Sequence, residues 1–378
     1  MRRLSASYGR AVVGSRIYRV VDADSLATQW QPDLQFLALI RASSQLALVE
    51  HYRSAGLSNV DWVDAPGLEY GDIVAADPAR SEVAVLHRGS DLHHSLQLTN
   101  RCNSNCLMCS QPPTLQDDAW MVEETLDVIR HLPSAPQVLG LSGGEPLLLG
   151  EHLRMVLDFV GERLPDTRVE LLTNGRLLAS AELSRKLLEG LATSVTWLVP
   201  LYGHVDFLHD FVVQAPGAFE ETLSGLLNLQ LHRQPIQLRI VLIQPVLEML
   251  PALCTFIGRN LPFVKEVALM ACEPVGFALA NRELCEVDLL DWRDQLQLAA
   301  RILARHGVPF LFMNAPLCAL PEDLRAHAHR SISDWKNVYA PACVDCEVKS
   351  DCSGLFAWHD RGWKPSKVIQ IMKKEKSA

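Results

Sequence analysis

Aromatic residues make up only 7% of this 378-residue chain, and no apolar run approaches the roughly 20 residues that a bilayer span needs. A membrane-spanning segment is therefore not expected. The opening MRRLSASYGR carries positive charge with no apolar stretch behind it, so no secretion signal is expected either. Basic residues are also in deficit. Against 44 acidic side chains stand 35 basic ones, the formal charge is -9, and the one basic block is the short KKEK near the end. That balance argues against non-specific nucleic-acid binding. No internal repeat or low-complexity segment stands out. Apolar material is plentiful, at 48% of residues against 21% charged, which suits a packed core and not a disordered chain. The length allows one large α/β domain with additions, or two to three smaller units. The expected setting is the cytoplasm, where thiols stay reduced, so ten cysteines point to metals or redox chemistry before disulfides.

From about residue 95, short apolar runs alternate with longer amphipathic stretches. SLQLT precedes AWMVEETLDVIRHL, QVLGLS precedes EHLRMVLDFVGERL, and RVELLT precedes SAELSRKLLEGL. SVTWLVPL, IQLRIVLI and VKEVALM continue the series, with helical periods at 218–232, 248–260 and 288–306. About six alternations of strand and helix predict an α/β fold with a helix-covered parallel sheet, here a partial (β/α)6 barrel of the TIM type over residues 93–308. Residues 1–92 read as a small β-rich or mixed domain, with RIYRVVD, GDIVAAD and EVAVLHR as strands and SQLALVEHYRSAG as a helix. Its role is open between docking a leader peptide and serving as a lid or scaffold. After HGVPFLFMN the periodicity breaks, and residues 309–378 form a cysteine-rich extension.

Seven of the ten cysteines sit in two groups. Cys102, Cys106 and Cys109, in TNRCNSNCLMCSQPP, have C-x3-C-x2-C spacing and follow the first strand of the repeat, at the rim where α/β barrels carry their active sites. Three thiolates hold three irons of a 4Fe-4S cluster and leave the fourth open; a structural zinc completed by a distant cysteine is the alternative. The next strand ends in LGLSGGEPLL, which brings Ser142, Gly143, Gly144, Glu145 and Pro146 to the same rim. Two glycines allow backbone to approach a ligand, and a carboxylate there accepts hydrogen bonds from an ammonium group. The second group, Cys318 with Cys343, Cys346 and Cys352, supplies four thiolates, which fully cap either a second 4Fe-4S cluster or a zinc ion. Cys254, Cys272 and Cys285 read as small buried apolar residues.

The cysteine loop and the GGE segment together resemble the radical S-adenosylmethionine (SAM) superfamily over roughly residues 95–275. The resemblance implies a 4Fe-4S cluster on Cys102, Cys106 and Cys109, whose open iron is chelated by the methionyl amino and carboxylate groups of SAM. It implies that Glu145 and nearby backbone hold the ammonium. One electron then cleaves the sulfonium to a 5'-deoxyadenosyl radical that abstracts hydrogen from a substrate. Met108 stands where the superfamily usually has an aromatic residue, so a thioether is expected against the adenine. Thr173 and Asn174, in LLTNG, are candidates for the SAM ribose or carboxylate, or else an ordinary Asn-Gly turn. Arg239, inside an apolar strand, needs an anion, either the SAM carboxylate or an internal acid. Glu273, in MACEPVG, is equally ambiguous.

The C-terminal cysteines resemble the shortened auxiliary-cluster extensions called SPASM or twitch domains. TNRCNSNCLMCSQPP, ALMACEPVGFA and SISDWKN together resemble the His-Xaa-Ser system radical SAM maturases. That likeness implies a ribosomally made precursor peptide as substrate, partner maturase proteins of the same system, and a low-potential electron donor. Two further readings stand beside it, a radical SAM enzyme acting on a small molecule and a non-catalytic iron-sulfur or zinc regulatory protein. His93, His94, His204 and His209 read as structural, with the pair His209 and Asp210 the first of them to examine because it follows a barrel strand.

Overall fold

The computed structural model describes residues 2–14, 16–91, 93–330, 337–355 and 363. Apart from Asn337, the string SISDWKN lies outside the described residues. Among the described residues no helix is long and apolar enough to cross a membrane.

Two seven-stranded sheets organise the chain. The first contains β1 (Arg2–Ser5), β2 (Ser7–Tyr8), β3 (Ile17–Asp22), β4 (Phe36–Leu39), β5 (Val60–Asp64), β6 (Ile73–Asp77) and β7 (Glu82–His87), in the order β1-β7-β6-β3-β4-β5-β2. Strands β3, β4 and β5 are parallel, because α1 (Leu26–Gln29) and α2 (Ser43–Ser54) carry the chain back between them. The remaining pairs are antiparallel. Successive side chains serve opposite core layers: Val20, Leu37 and Leu39 pack with Val63 and Val74, while Val21, Phe36 and Ala38 pack with Val49 and Val60. Such doubly buried strands show no apolar-polar alternation, which is why FLAL does not stand out in the sequence.

The second sheet takes its strands in chain order: β8 (His94–Gln97), β9 (Val138–Ser142), β10 (Arg168–Leu172), β11 (Val195–Pro200), β12 (Ile236–Leu242), β13 (Glu266–Ala271) and β14 (Phe310–Met313). From β10 to β14 every neighbouring pair is parallel. The intervening helices are α3 (Trp120–His131), α4 (Glu151–Arg163), α5 (Ala181–Leu188), α6 (Asp206–Val213), α7 (Ala218–Leu231), α8 (Gln244–Glu248), α9 (Leu250–Asn260), α10 (Phe277–Ala280), α11 (Arg282–Cys285) and α12 (Arg293–Arg305). Six strands were expected. PFLFM supplies a seventh, because its apolar residues continue the register of β13.

The register gives this sheet two different faces. Leu171, Trp197, Leu238, Leu269 and Phe312 lie on one and are wholly buried. Glu170, Thr196, Gln237, Arg239 and Glu266 lie on the other, together with Ala268 and Met270. Polar residues on one face of an otherwise apolar sheet mark the side available to chemistry.

By compactness the chain divides into two units: residues 1–96, 119–139 and 156–167, and residues 97–118, 140–155 and 168–378. Helix α3, expected as the first barrel helix, belongs to the first. There Arg19 of β3 donates from Nε to the carbonyl of His131 at 2.6 Å and from Nη2 to that of Leu132 at 3.2 Å. A guanidinium at a helix C-terminus meets carbonyls that have no intrahelical donor.

Candidate active site

The cysteine loop is built first from its own start. Asp118, almost wholly buried, accepts the Thr99 hydroxyl at 2.7 Å, the Asn100 amide at 2.6 Å and Arg101 Nε at 3.2 Å. One carboxylate thereby sets the direction in which the chain leaves β8. Further along, the amides of Asn105 and Leu107 donate to the carbonyls of Val213 and Val212 at 3.0 and 2.9 Å, so the end of α6 supports the loop between the cysteines.

The glycines of the GGE segment bring its backbone against the cysteine loop. The amide of Gly144 donates to Thr99 O at 2.8 Å, and that of Glu145 to Arg101 O at 2.7 Å. A Cβ on Gly144 would stand 2.2 Å from Arg101 O, and one on Gly143 would stand 2.6 Å from Thr99 O. Missing side chains thus let this segment lie against the cysteine loop backbone. Pro146 opens a short 3-10 turn (Pro146–Leu149) for which Glu145 is the N-cap. Ser142 closes β9, and its carbonyl accepts the amide of Leu98 at 2.8 Å.

Glu145 is fully buried. Its Oε1 accepts Leu147 N at 2.9 Å and Thr173 Oγ1 at 2.6 Å, and its Oε2 accepts Asn174 N at 2.6 Å. Burial pushes the carboxyl pKa up, against those three donors and the nearby Arg176 charge. The side chain therefore ties the loop after β9 to the loop after β10. Asn174 carries the tie onward, donating from Nδ2 to Asn103 Oδ1 at 2.6 Å, with Cys102 Sγ at 4.0 Å. Thr173 and Asn174 are thus brought to the cysteine loop.

Arg176, not foreseen in the sequence, continues this contact. Its Nη1 donates to the Asn103 carbonyl and to Ser104 Oγ at 3.0 Å, and its Nε pairs with Glu221 Oε2 at 2.6 Å. A second clamp follows β13. Phe277 N donates to Cys109 O at 2.9 Å, Asn281 Nδ2 donates to Leu107 O at 2.9 Å, and a Cβ on Gly276 would stand 2.2 Å from Cys109 O. The string EPVGFA has its mechanical need here: a glycine with φ of 58° where helix α10 meets the cysteine loop.

The three loop cysteines are electrostatic neighbours. Burial raises all three thiols, Cys106 to about 12; the charges of Cys109 and Cys102 add to the rise at Cys106, and those of Glu145 and Cys109 at Cys102. Thiols that oppose one another's ionisation in this way are stabilised as thiolates by a shared cation. Met108, between them, is buried. Tyr202, buried just past the end of β11, is held far above its ordinary pKa by burial and by the charges of Cys106, Cys109 and Cys272.

Arg239 is 9% exposed and donates from Nε to Gln237 Oε1 at 3.0 Å, while Gln237 Nε2 donates to Glu266 Oε1 at 2.9 Å. Burial lowers it to about 10, with Glu170, Tyr202 and Glu266 opposing. It remains charged at neutral pH. Glu273 accepts Asn314 Nδ2 at 3.2 Å, at the end of β14. His209 is structural: it is buried, its Nδ1 accepts the amide of Tyr202 at 3.2 Å, and burial lowers its pKa to about 4. Asp210, whose charge opposes the lowering at His209, accepts the amides of Gly217 and Phe219 at 2.6 and 2.8 Å, ahead of and within the start of α7.

In the C-terminal region, Cys318, Cys343, Cys346 and Cys352 line one cavity with Tyr339 and Leu355. Amides of Leu317 and Gly354 point at Cys352 Sγ, at 3.4 and 3.3 Å. No disulfide joins any of the ten cysteines. Among the described residues no three His, Cys, Asp or Glu side chains converge closely enough to hold a single metal ion. Cys272 and Cys285, read as isolated, are hydrogen-bonded partners.

Part of the chain is similar to known proteins. Residues 96–248 match the model of the radical SAM superfamily. A curated relative, the AdoMet-dependent heme synthase of Methanosarcina barkeri (strain Fusaro / DSM 804), is 30% identical over 220 residues, 54% of this chain and 58% of that protein. The chain thus spans less than two thirds of that relative's length. Among solved structures, native anSMEcpe with bound AdoMet and Cp18Cys peptide is similar at a TM-score of 0.44 and 13% identity, over 57% of this chain and 62% of that one. A radical SAM methyltransferase from Sphaerobacter thermophilus is similar at 0.41 and 16%, over 64% and 68%. The family match takes in the cysteine loop, the GGE segment, Thr173, Asn174 and Arg239, and ends before Glu273 and the C-terminal cysteines.

Proposed function

We propose that this chain is a radical SAM enzyme that holds a 4Fe-4S cluster on Cys102, Cys106 and Cys109 and modifies a ribosomally made peptide of the His-Xaa-Ser type. The observation that carries the first part is the loop itself: three half-buried thiols, with Cys106 opposed by the charges of the other two, on a backbone clamped by Gly144, Asn174, Arg176 and Asn281. The residues fit the group. Held by Cys102, Cys106 and Cys109, a reduced cluster would supply one electron to the sulfonium of bound SAM, giving methionine and a 5'-deoxyadenosyl radical.

The chain's own residues do the rest. Glu145 accepts three internal donors, one of them at Oε2, which leaves that oxygen a further acceptor position; with the backbone carbonyls of its segment it is assigned to the ammonium of SAM. Ser142, Gly143, Gly144 and Pro146 supply that backbone. Thr173 and Asn174 border the same space, and Arg239 offers its outer guanidinium nitrogens to a carboxylate. Met108 is the contact assigned to the adenine, and Glu273 a contact near the rim. The sheet in chain order supports a partial barrel of the TIM type around them.

For the C-terminal cysteines the reading is an auxiliary 4Fe-4S cluster in a SPASM or twitch-like region. Four thiols lining one cavity, with two amides directed at Cys352, support it. A zinc ion requires all four sulfurs about 2.3 Å from one point, whereas a cluster takes them further apart. The peptide substrate, the partner maturases, the low-potential electron donor and a cytoplasmic setting rest on the likeness of the loop strings to the His-Xaa-Ser maturases.

A second reading, action on a small molecule, is favoured by the likeness to an AdoMet-dependent heme synthase. Anaerobic reconstitution separates the possibilities. The expected result is about eight irons per chain, about four in the Cys102→Ala/Cys106→Ala/Cys109→Ala variant, and 5'-deoxyadenosine from SAM plus dithionite only when the three cysteines are present. Stimulation of that turnover by a His-Xaa-Ser precursor supports the peptide reading; stimulation by a porphyrin and not by peptide supports the second. A fully loaded protein that never cleaves SAM defeats both.

A further inference from the structure

We infer that Arg176 sets the reduction potential of the cluster held by Cys102, Cys106 and Cys109, and that Glu221 moderates it. The inference rests on the cluster assignment proposed above. Arg176 opens the 3-10 turn Arg176–Ala179 that follows β10. Its side chain is only 12% exposed, and its fork is fixed on both sides: Nη1 on Asn103 O and Ser104 Oγ, Nε on Glu221 Oε2. Asn103 and Ser104 lie between the first two cysteines of the loop, so a permanent positive charge is built into the span that joins two cluster ligands.

Reduction adds one electron to the cluster and no proton, the electron coming from a low-potential one-electron donor. The reduced form is thus one unit more negative, and a fixed cation beside it favours that form, since net charge and hydrogen bonding around the sulfurs set such potentials. Glu221, in the first turn of α7, is 46% exposed and so screened by water. It offsets part of the Arg176 charge and not all of it.

A purely mechanical clamp makes a different forecast. Arg176→Lys keeps the charge and loses the fork, Arg176→Gln keeps a donor and loses the charge, and Glu221→Gln removes the counter-charge while touching no atom of the cysteine loop. The measurement is potentiometric titration of the anaerobically reconstituted full chain, following the EPR signal that changes when SAM is added. At a fixed potential near the wild-type midpoint, the reduced-to-oxidised ratio is expected to fall about tenfold in Arg176→Gln, a shift of about 59 mV for one electron. It is expected to rise a few-fold in Glu221→Gln and to stay near wild type in Arg176→Lys. If Arg176→Gln fails to hold its irons, the upward shift in Glu221→Gln still decides the matter. Equal midpoints in loaded wild type, Arg176→Gln and Glu221→Gln overturn the inference and leave the cluster assignment intact. A wild type that takes up no SAM-responsive cluster overturns the assignment itself.

Discussion

At Asp118 a single carboxylate meets a hydroxyl, an amide and a guanidinium, all belonging to Thr99, Asn100 and Arg101. Asp118→Ala strands the buried Thr99 hydroxyl and the Asn100 amide, at about 1–3 kcal/mol for each unsatisfied group. A lower urea midpoint and faster iron loss after reconstitution are expected, and unchanged values for both contradict the anchoring role. The loop thiols give a pH prediction. Burial holds Cys106 at about 12, so without metal it is a thiol at neutral pH and must release a proton to become a ligand. Iron uptake is expected to be more complete at pH 8.5 than at pH 7, measured as iron bound at equal times. His209 predicts a slope in stability. Its folded pKa, about 4, lies below the ordinary 6.5, so the unfolded chain binds its proton first as pH falls. Stability is therefore full above about pH 6.5 and declines by about 1.4 kcal/mol per unit between there and pH 4. His209→Gln, which keeps an acceptor for the Tyr202 amide, is expected to flatten that part of a melting-temperature profile.

Elements explain what single residues do not. The loops after β8, β9, β10 and β13 form one bonded assembly, in which glycines serve contact between loops. Gly144→Ala places a methyl group 2.2 Å from a carbonyl oxygen of the cysteine loop, whereas a Cβ on Gly150, with φ of 56°, meets nothing within 4 Å. Gly150→Ala is expected to cost about 1–2 kcal/mol of backbone strain and to keep full iron content. Gly144→Ala is expected to lose iron as well as stability, and a normal iron-sulfur absorption spectrum in that variant counts against the assembly. The strands and most helices were legible because their periods are long and regular, as in IQLRIVLI and the run at 293–305. Short FLAL and PFLFM were not, since four buried residues in a row carry no period.

For the whole molecule, two groups of cysteines serve two separate places in the second compact unit, one at the strand ends and one around a C-terminal cavity. Their contents are expected to be separable. Cys343→Ala/Cys346→Ala should halve the iron of the reconstituted chain and leave the SAM-responsive EPR signal in place. Zinc in the wild type after aerobic purification, retained on reconstitution and absent from that variant, would assign the second site to a mononuclear metal instead. Glu170, Gln237, Arg239 and Glu266 share one face of the second sheet, with Gln237 bonded to both Arg239 and Glu266.

The sequence determined by itself the strand-helix repeat, the cysteine trio, the GGE segment and the TNG turn, because spacing and apolar period are local properties that survive without a fold. Only the tertiary structure decided what those residues do for one another. Glu145 turned inward to bind Thr173 and Asn174, from a strand 28 and 29 positions away, and Arg176 reached back to Asn103 and Ser104. Gly276, which read as one letter of a family string, proved to be the point where another loop touches Cys109. Hydrogen bonds and close contacts of this kind depend on distances between segments far apart in the chain, and no local pattern records them.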